Sequence, residues 1–441
     1  MQTSRKGSHG MRILVAFLAL LSLAGAAGAQ RAPVELAIYG APDFYEEVVA
    51  RFHAQHPDVE VTLSIIPGNQ AGYLEAIPVM IAGGVPPDLG VVAPNIFDAW
   101  ASQGVLQSLQ PFIDRDGFDT SVLFPRSTSD FRYQPGSVRT GEGPLYAIPV
   151  TFQTQSMFIY NVPLFDQAGL AYPGDDFSWE SMLDAARKLT RDHGNDGVMD
   201  QWGINPPAAL NGWVWPFIES AGGKFISDDY TRMAIRDEPA LRALEWLYEF
   251  ATGYDVTSNV GWLEGKHGMY VVGQFAVHLY RWHETAPFEW DVAHYPKNPV
   301  TGGRKVNTAS DAIAMFSGAR NPEAAWTFLK FLAGEELQSW AAETYARPVP
   351  HIQAAVNALY NDRATGVPGG VPRSYRLMRE ILSSTVDMPR GLYFSEIQTN
   401  SARIWGQIIR REVPFAQGIG EMEQLGNIAL NRAWEEAGLK R

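Results

Sequence analysis

Carboxylates, loop aromatics and polar groups at predicted strand ends are the residues through which this chain could act on another molecule. Three acid pairs, Glu46-Glu47, Asp175-Asp176 and Asp228-Asp229, offer the two carboxyl groups that glycoside hydrolysis needs about 5–10 Å apart. Each pair sits in a polar loop or a helix start, where solvated acids are the competing reading. Asp192, Asp196 and Asp200, with Gly197, match positions one, five, nine and six of an EF-hand calcium loop. The match fails at Gly194 in the third position and at Gly203 in the twelfth, where a bidentate Glu belongs. A tight turn uses the same residues, because Asn and Gly accept left-handed backbone angles and Asp bonds its own backbone. No other cofactor is indicated: the chain has no Cys, its His residues are scattered, and phosphate-loop, dinucleotide, nucleophile-elbow and zincin motifs are missing.

With 13 Trp, 17 Tyr and 22 Phe, most rings must be core. The informative ones stand outside clean periodicity: Trp213 and Trp215 in LNGWVWP, Trp282 in LYRW, and Tyr39 at the end of the first strand. Polar side chains cluster where strands end, the edge at which open α/β sheets bind ligands. These are Asn69 and Gln70 after the second strand, Asn95 after the third, Gln153, and Asp311 before a late strand.

The elements that must position them begin with a βαβ unit. Val34, Leu36 and Ile38 alternate as a strand, and so do Val59, Val61, Leu63 and Ile65. Between them Phe44, Val48 and Phe52 share one helical face, with Asp43 and Glu46 spaced as a capping box. A helical crossover of this kind makes the two strands parallel. Leu74 to Ala82 predicts a second helix and Leu89 to Ala93 a third strand. Later helices open at Ser178, Asp237 and Asn321-Pro322. At 441 residues the chain exceeds the roughly 250–300 at which one core stops growing, so two lobes are expected.

Arg5, Lys6 and Arg12, the apolar run Ile13 to Leu23 and Ala27-Gly28-Ala29 predict a secretory leader, residues 1–29, cleaved before Gln30. The formal charge of −13 argues against nucleic acid and anionic membranes as partners. Without Cys there is neither a disulfide nor an acylated cysteine to serve as a lipid anchor.

Four segments, Gly84 to Asp88, Tyr146 to Asn161, Lys188 to Gly203 and Asn321 to Leu332, together resemble the extracellular sugar-binding solute-binding proteins of ABC importers in order and spacing. The resemblance implies an α/β, two-lobed periplasmic binding protein fold, each lobe an open, mostly parallel sheet flanked by helices, with three hinge crossings. It places residues 30–151 and 296–334 in the first lobe and 152–295 and 335–441 in the second. Crossings fall near Pro149 to Gln155, Asp291 to Pro296 and Gly334 to Arg347. It implies a monomeric periplasmic binder, not an enzyme, which closes on a sugar and is met by a membrane permease. Trp213, Trp215, Trp282 and Arg347 occupy positions that approach ligand in that family. Polyamines and phosphorylated polyols remain alternative ligands, and a secreted glycoside hydrolase an alternative class.

Overall fold

The structure, a computed structural model, describes residues 31–439 apart from 69, 279–281, 360–371, 384 and 386–389. Asn69 therefore lies outside the described residues. The predicted βαβ unit is present: β1 (Ala32–Ile38) pairs in parallel with β2 (Val59–Ile65) from Ala32↔Val59 to Ile38↔Ile65. The helix between them, α1 (Pro42–Gln55), buries Phe44, Val48 and Phe52 as one stripe. Its start differs from expectation. Ala41 is the N-cap and Pro42 begins the helix, so the Asp43–Glu46 capping box is not formed; Pro is preset for the first helical position. After α2 (Gln70–Ala82), β3 (Leu89–Val92) joins the other side of β1, again in parallel. Its end feeds directly into α3 (Pro94–Ser102).

β4 (Ala147–Pro149) belongs to this first sheet, and after three intervening residues β5 (Gln153–Thr154) begins the passage out of it. β6 (Met157–Asn161) is the fully buried centre of the second sheet. Ser178 caps α4 (Trp179–Leu189) by accepting the Ser181 N–H at 3.3 Å. A five-residue π-helical turn, Leu210–Val214, runs into α5 (Trp215–Ser220), and α6 (Glu238–Gly253) packs beside it. β7 (Met269–Val272) and β8 (Trp290–Ala293) flank β6, both antiparallel to it. The second sheet thus departs from the mostly parallel arrangement expected of it.

The return mirrors the exit. β9 (Thr308–Ala309) pairs antiparallel with β5, and β10 (Ala312–Met315) then slots between β3 and β4, antiparallel to both. The two lobes therefore share a two-residue ladder, Thr308↔Thr154 and Ala309↔Gln153. α7 (Pro322–Ala333) follows, with the Asn321 side chain donating to Pro33 O at 2.8 Å instead of capping its own helix.

The third crossing comes later than expected. α8 (Glu335–Tyr345) stays on the first lobe, because Trp340 stacks on Phe44 of α1 at 5.8 Å and Tyr345 meets the same ring edge-on. Pro348 and Pro350 carbonyls still accept from Phe152 and Phe124. By Ser374 the chain is bonded to Asp291 of β8, and the expected boundary at residue 334 moves accordingly. The chain then touches the first lobe once more, Arg390 O and Val138 O pairing with Thr140 and Leu392 amides, before α9 (Phe394–Ile409) and α10 (Phe415–Glu436) complete the second lobe.

Gly203 shows how tightly the second lobe is packed: a Cβ there would meet the Ala186 backbone of α4 at 2.4 Å. Gly203→Ala should destabilise the protein by about 2 kcal/mol or more, read as a lower urea midpoint at unchanged m-value. An unchanged midpoint would show that α4 can move away at no cost.

Candidate functional site

Between the lobes, beside the shared ladder, lies a chamber of about 290 Å³. Gln70 and Asn95 reach it from the first lobe, Trp215, Asn211, Phe394 and Gln398 from the second, and Gln153, Asn307, Ser310 and Asp311 from the crossings. Of the predicted residues, the structure brings together Gln70, Asn95, Gln153, Trp215 and Asp311. The reason is topological: each follows the end of a strand or the turn before a helix at the junction of the two sheets.

The chamber's chemistry is set by buried polar atoms that find no partner among the described residues. Gln153 Oε1, Asn307 Oδ1, Ser310 Oγ and Trp215 Nε1 are all in this state. Leaving such a group buried and unsatisfied costs about 1–3 kcal/mol, so it marks a place where something else supplies the bond. The set mixes acceptors, a hydroxyl that does both, and an N–H donor. Trp215 is 2% exposed, with its ring 5.7 Å from that of Phe394. Asp311 receives the Thr151 hydroxyl at 3.2 Å; burial raises its carboxyl pKa, while Arg347 and Thr151 oppose the rise.

Tyr39 and Arg347 stand one layer back. Gln70 Nε2 donates to the Tyr39 hydroxyl at 3.2 Å, which holds the Gln70 amide. Arg347 is buried with its guanidinium 4.3 Å over the Phe44 ring, close enough to act on Asp311 through its charge.

Two predicted rings lie elsewhere. Trp213 is 1% exposed and packs on Phe217 and Phe250 in the core of the second lobe. Trp282 stacks on Trp262 at 6.5 Å and meets Tyr270, in an aromatic cluster beside β7 and β8. The acidic loop uses its carboxylates on itself: Asp192 accepts the Gly197 and Asp196 amides, Asp196 the Val198 amide, and Asp200 the His193 and Gly194 amides. With Asn195 and Gly197 at positive φ, this is the turn reading. Among the described residues no group of three His or acidic side chains is placed to hold a metal ion.

Sequence reasoning missed Asn211, Arg390, Phe394 and Gln398. Asn211 adjoins the tryptophans already noted, and Phe394 and Gln398 share a helix face four residues apart, but nothing local distinguishes Arg390. Its guanidinium bonds Asp130 at 2.9 Å and Thr308 O at 3.3 Å, tying the late segment to the first lobe and to the ladder. Also missed was Asp98 of α3. It is 3% exposed, with no well-formed hydrogen bond to either carboxylate oxygen among the described residues but with the Thr140 hydroxyl close enough to act on it. Burial pushes its pKa up to about 7, Arg390 and Thr140 pulling down and Asp130 pushing further up.

Residues 40–339 match the family of bacterial extracellular solute-binding proteins, and the chain belongs to that family. A protein of Brucella abortus (strain 2308), named as a binding protein, is 26% identical over 333 residues, 72% of this chain and 76% of that one. The ABC substrate-binding protein Lmo0181 from Listeria monocytogenes, solved in complex with cycloalternan, has a TM-score of 0.75 at 22% identity, covering 93% of this chain and 100% of that one. The maltose/maltodextrin-binding domain of Bdellovibrio bacteriovorus bound to maltotriose gives 0.70 at 15%, covering 91% and 99%. These likenesses show a two-lobed periplasmic binding protein fold. No helix among the described residues is long and apolar enough to cross a membrane.

Asp98 yields a signed pH prediction. Its folded pKa is raised to about 7, so between the ordinary carboxylate range and that value the folded state holds more protons than the unfolded one. Stability is therefore lost as pH rises through this window. Asp98→Asn removes the titration: the variant should be near wild type at about pH 4.5 and more stable by about 1–2 kcal/mol at about pH 8. Thermal melts giving one constant difference at both pH values would contradict this.

Proposed function

We propose that this protein is the solute-binding component of an ABC importer, which takes a sugar or oligosaccharide between its lobes and delivers it to a membrane permease. The observation that carries the reading is the set of orphaned atoms around the inner chamber, Gln153 Oε1, Asn307 Oδ1, Ser310 Oγ and Trp215 Nε1. Vicinal hydroxyls, each donor and acceptor, complement that mixture, while the Trp215 and Phe394 rings suit the C–H face of a pyranose. The ligands named for the Listeria and Bdellovibrio proteins are of this class. Closure follows from geometry: a ligand bonded to both Asn95 and Asn211 favours whichever lobe arrangement makes both bonds at once.

The rival ligands fit less well. A phosphorylated polyol needs cations, and Arg390 is engaged by Asp130 while Arg347 lies behind Asp311. A polyamine needs several acids, and hydrolysis needs two; among the described residues lining the inner chamber, Asp311 is the one carboxylate. We read the chain as a monomer, freely diffusing in the periplasm once the leader is removed.

A thermal-shift screen over oligosaccharides, polyamines and glycerol phosphates should give stabilisation by sugars alone. With the sugar found, Trp215→Ala should weaken binding about tenfold or more, whereas Trp213→Ala should cost about 3 kcal/mol of stability and leave affinity within about twofold. Equal affinity losses in both variants would refute this assignment of the rings. Mass spectrometry of the exported protein should find an N-terminus at Gln30; an intact leader would refute cleavage.

A further inference from the structure

Tyr393, the residue before α9, has a φ of 63° and a ψ of 9°. Glycine adopts this left-handed conformation freely, a tyrosine only when its surroundings impose it. Here Phe394 N–H donates to Gly391 O at 3.0 Å, closing a turn from Gly391 to Phe394 with Tyr393 at its third position. Turns whose third residue is left-handed ordinarily carry Gly there.

The two ends of this turn are held by different lobes. On the near side, Leu392 N–H donates to Val138 O and Thr140 N–H to Arg390 O, both at 3.0 Å, and the Arg390 guanidinium pairs with the buried Asp130 carboxylate of the first lobe at 2.9 Å. Gly391 lies so close to that lobe that a Cβ there would sit 1.9 Å from Val138 O. On the far side, Tyr230 of the second lobe, whose own carbonyl accepts the Trp434 indole N–H of α10, donates its hydroxyl to Leu392 O at 3.2 Å. The Tyr393 side chain is held by α10 as well, Glu436 accepting its hydroxyl and the Arg432 guanidinium lying 4.8 Å over its ring. The seam between the lobes thus runs through Leu392, whose N–H is bonded to the first lobe and whose C=O is bonded to the second.

At this crossing, a rotation of lobe against lobe has to be absorbed between Leu392 and Phe394. It stretches the bond from Phe394 to Gly391 and lets Tyr393 leave the left-handed region. The strain therefore belongs to the arrangement in which both lobes wall the chamber, and Phe394, the next residue, lines that chamber. We propose that Tyr393 is the pivot of the third crossing and a positioning residue for binding: its left-handed backbone opposes the chamber-forming arrangement and lowers affinity for whatever bridges the lobes. This rests on the reading of the chain as a two-lobed binder, not on the class of its ligand.

Tyr393→Gly and Tyr393→Ala both remove the ring and its hydroxyl; they differ in that Gly takes this φ without strain, whereas Ala retains a Cβ and with it the strain. In calorimetric titrations with maltotriose, cellotriose and mannotriose, whichever sugar binds wild type should bind the Gly variant about fivefold more tightly than the Ala variant. Small-angle X-ray scattering without sugar should give the Gly variant the smaller radius of gyration, because its population shifts toward the chamber-forming arrangement. A merely structural role would raise the melting temperature of the Gly variant over that of the Ala variant and leave affinities and radii equal, and that result overturns the pivot. If no sugar binds wild type, the ligand class falls and the radii decide alone: a difference upholds the pivot and equality overturns it.

Discussion

Two pairs of residues tie together the first two passages between the lobes: the ladder of Gln153–Thr154 against Thr308–Ala309. Because β4 and β10 lie on one side of it and β6 and β8 on the other, any rotation of lobe against lobe acts on these bonds. The ladder also receives the late segment, through the Arg390 bond to Thr308 O. Its own residues furnish the site, since Gln153 and Ala309 line the inner chamber. Hinge and binding surface are thus one piece of backbone. A ligand bonded there meets the groups whose geometry changes when the lobes move, the condition for differential affinity between conformations.

The interior of that junction is polar at a cost. Buried amides, a hydroxyl and an indole N–H without partners among the described residues oppose folding, and Asp98 adds a desolvated acid. The apolar lobes offset this: β3, β4, β6, β8 and β10 are buried along their whole length. Such a division, stable sheets around a destabilised junction, is what a protein that must stay partly unsatisfied until it meets its ligand requires.

Much of the first lobe was legible because its signals are local. Alternating apolar residues, a stripe at helical spacing and Pro at helix starts each dictate structure within about ten residues. The second sheet was less so: β6 reads as a uniformly apolar run, and such a run does not say in which direction its neighbours lie. Trp340 and Tyr345 decided the fate of α8 by finding Phe44 about three hundred residues away, a choice no window can contain. The site divides in the same way. Asn95, Gln153 and Asp311 were found because strand ends converge, whereas Asp98 hides inside a short helix whose Phe97 and Trp100 suggest only packing. Trp213 and Trp215 were recognised as a pair, yet which one faces the cleft depends on the π-helical turn beneath them.

That turn, Leu210–Val214, holds one residue more than an α-helical path over the same span. Removing that residue would close the same span as regular α-helix and leave the Trp215 helix in register, whereas removing one from regular helix turns everything after it by about 100°. The turn is therefore a place where the length of the chain can change by one residue while the ring that lines the cleft stays where it is.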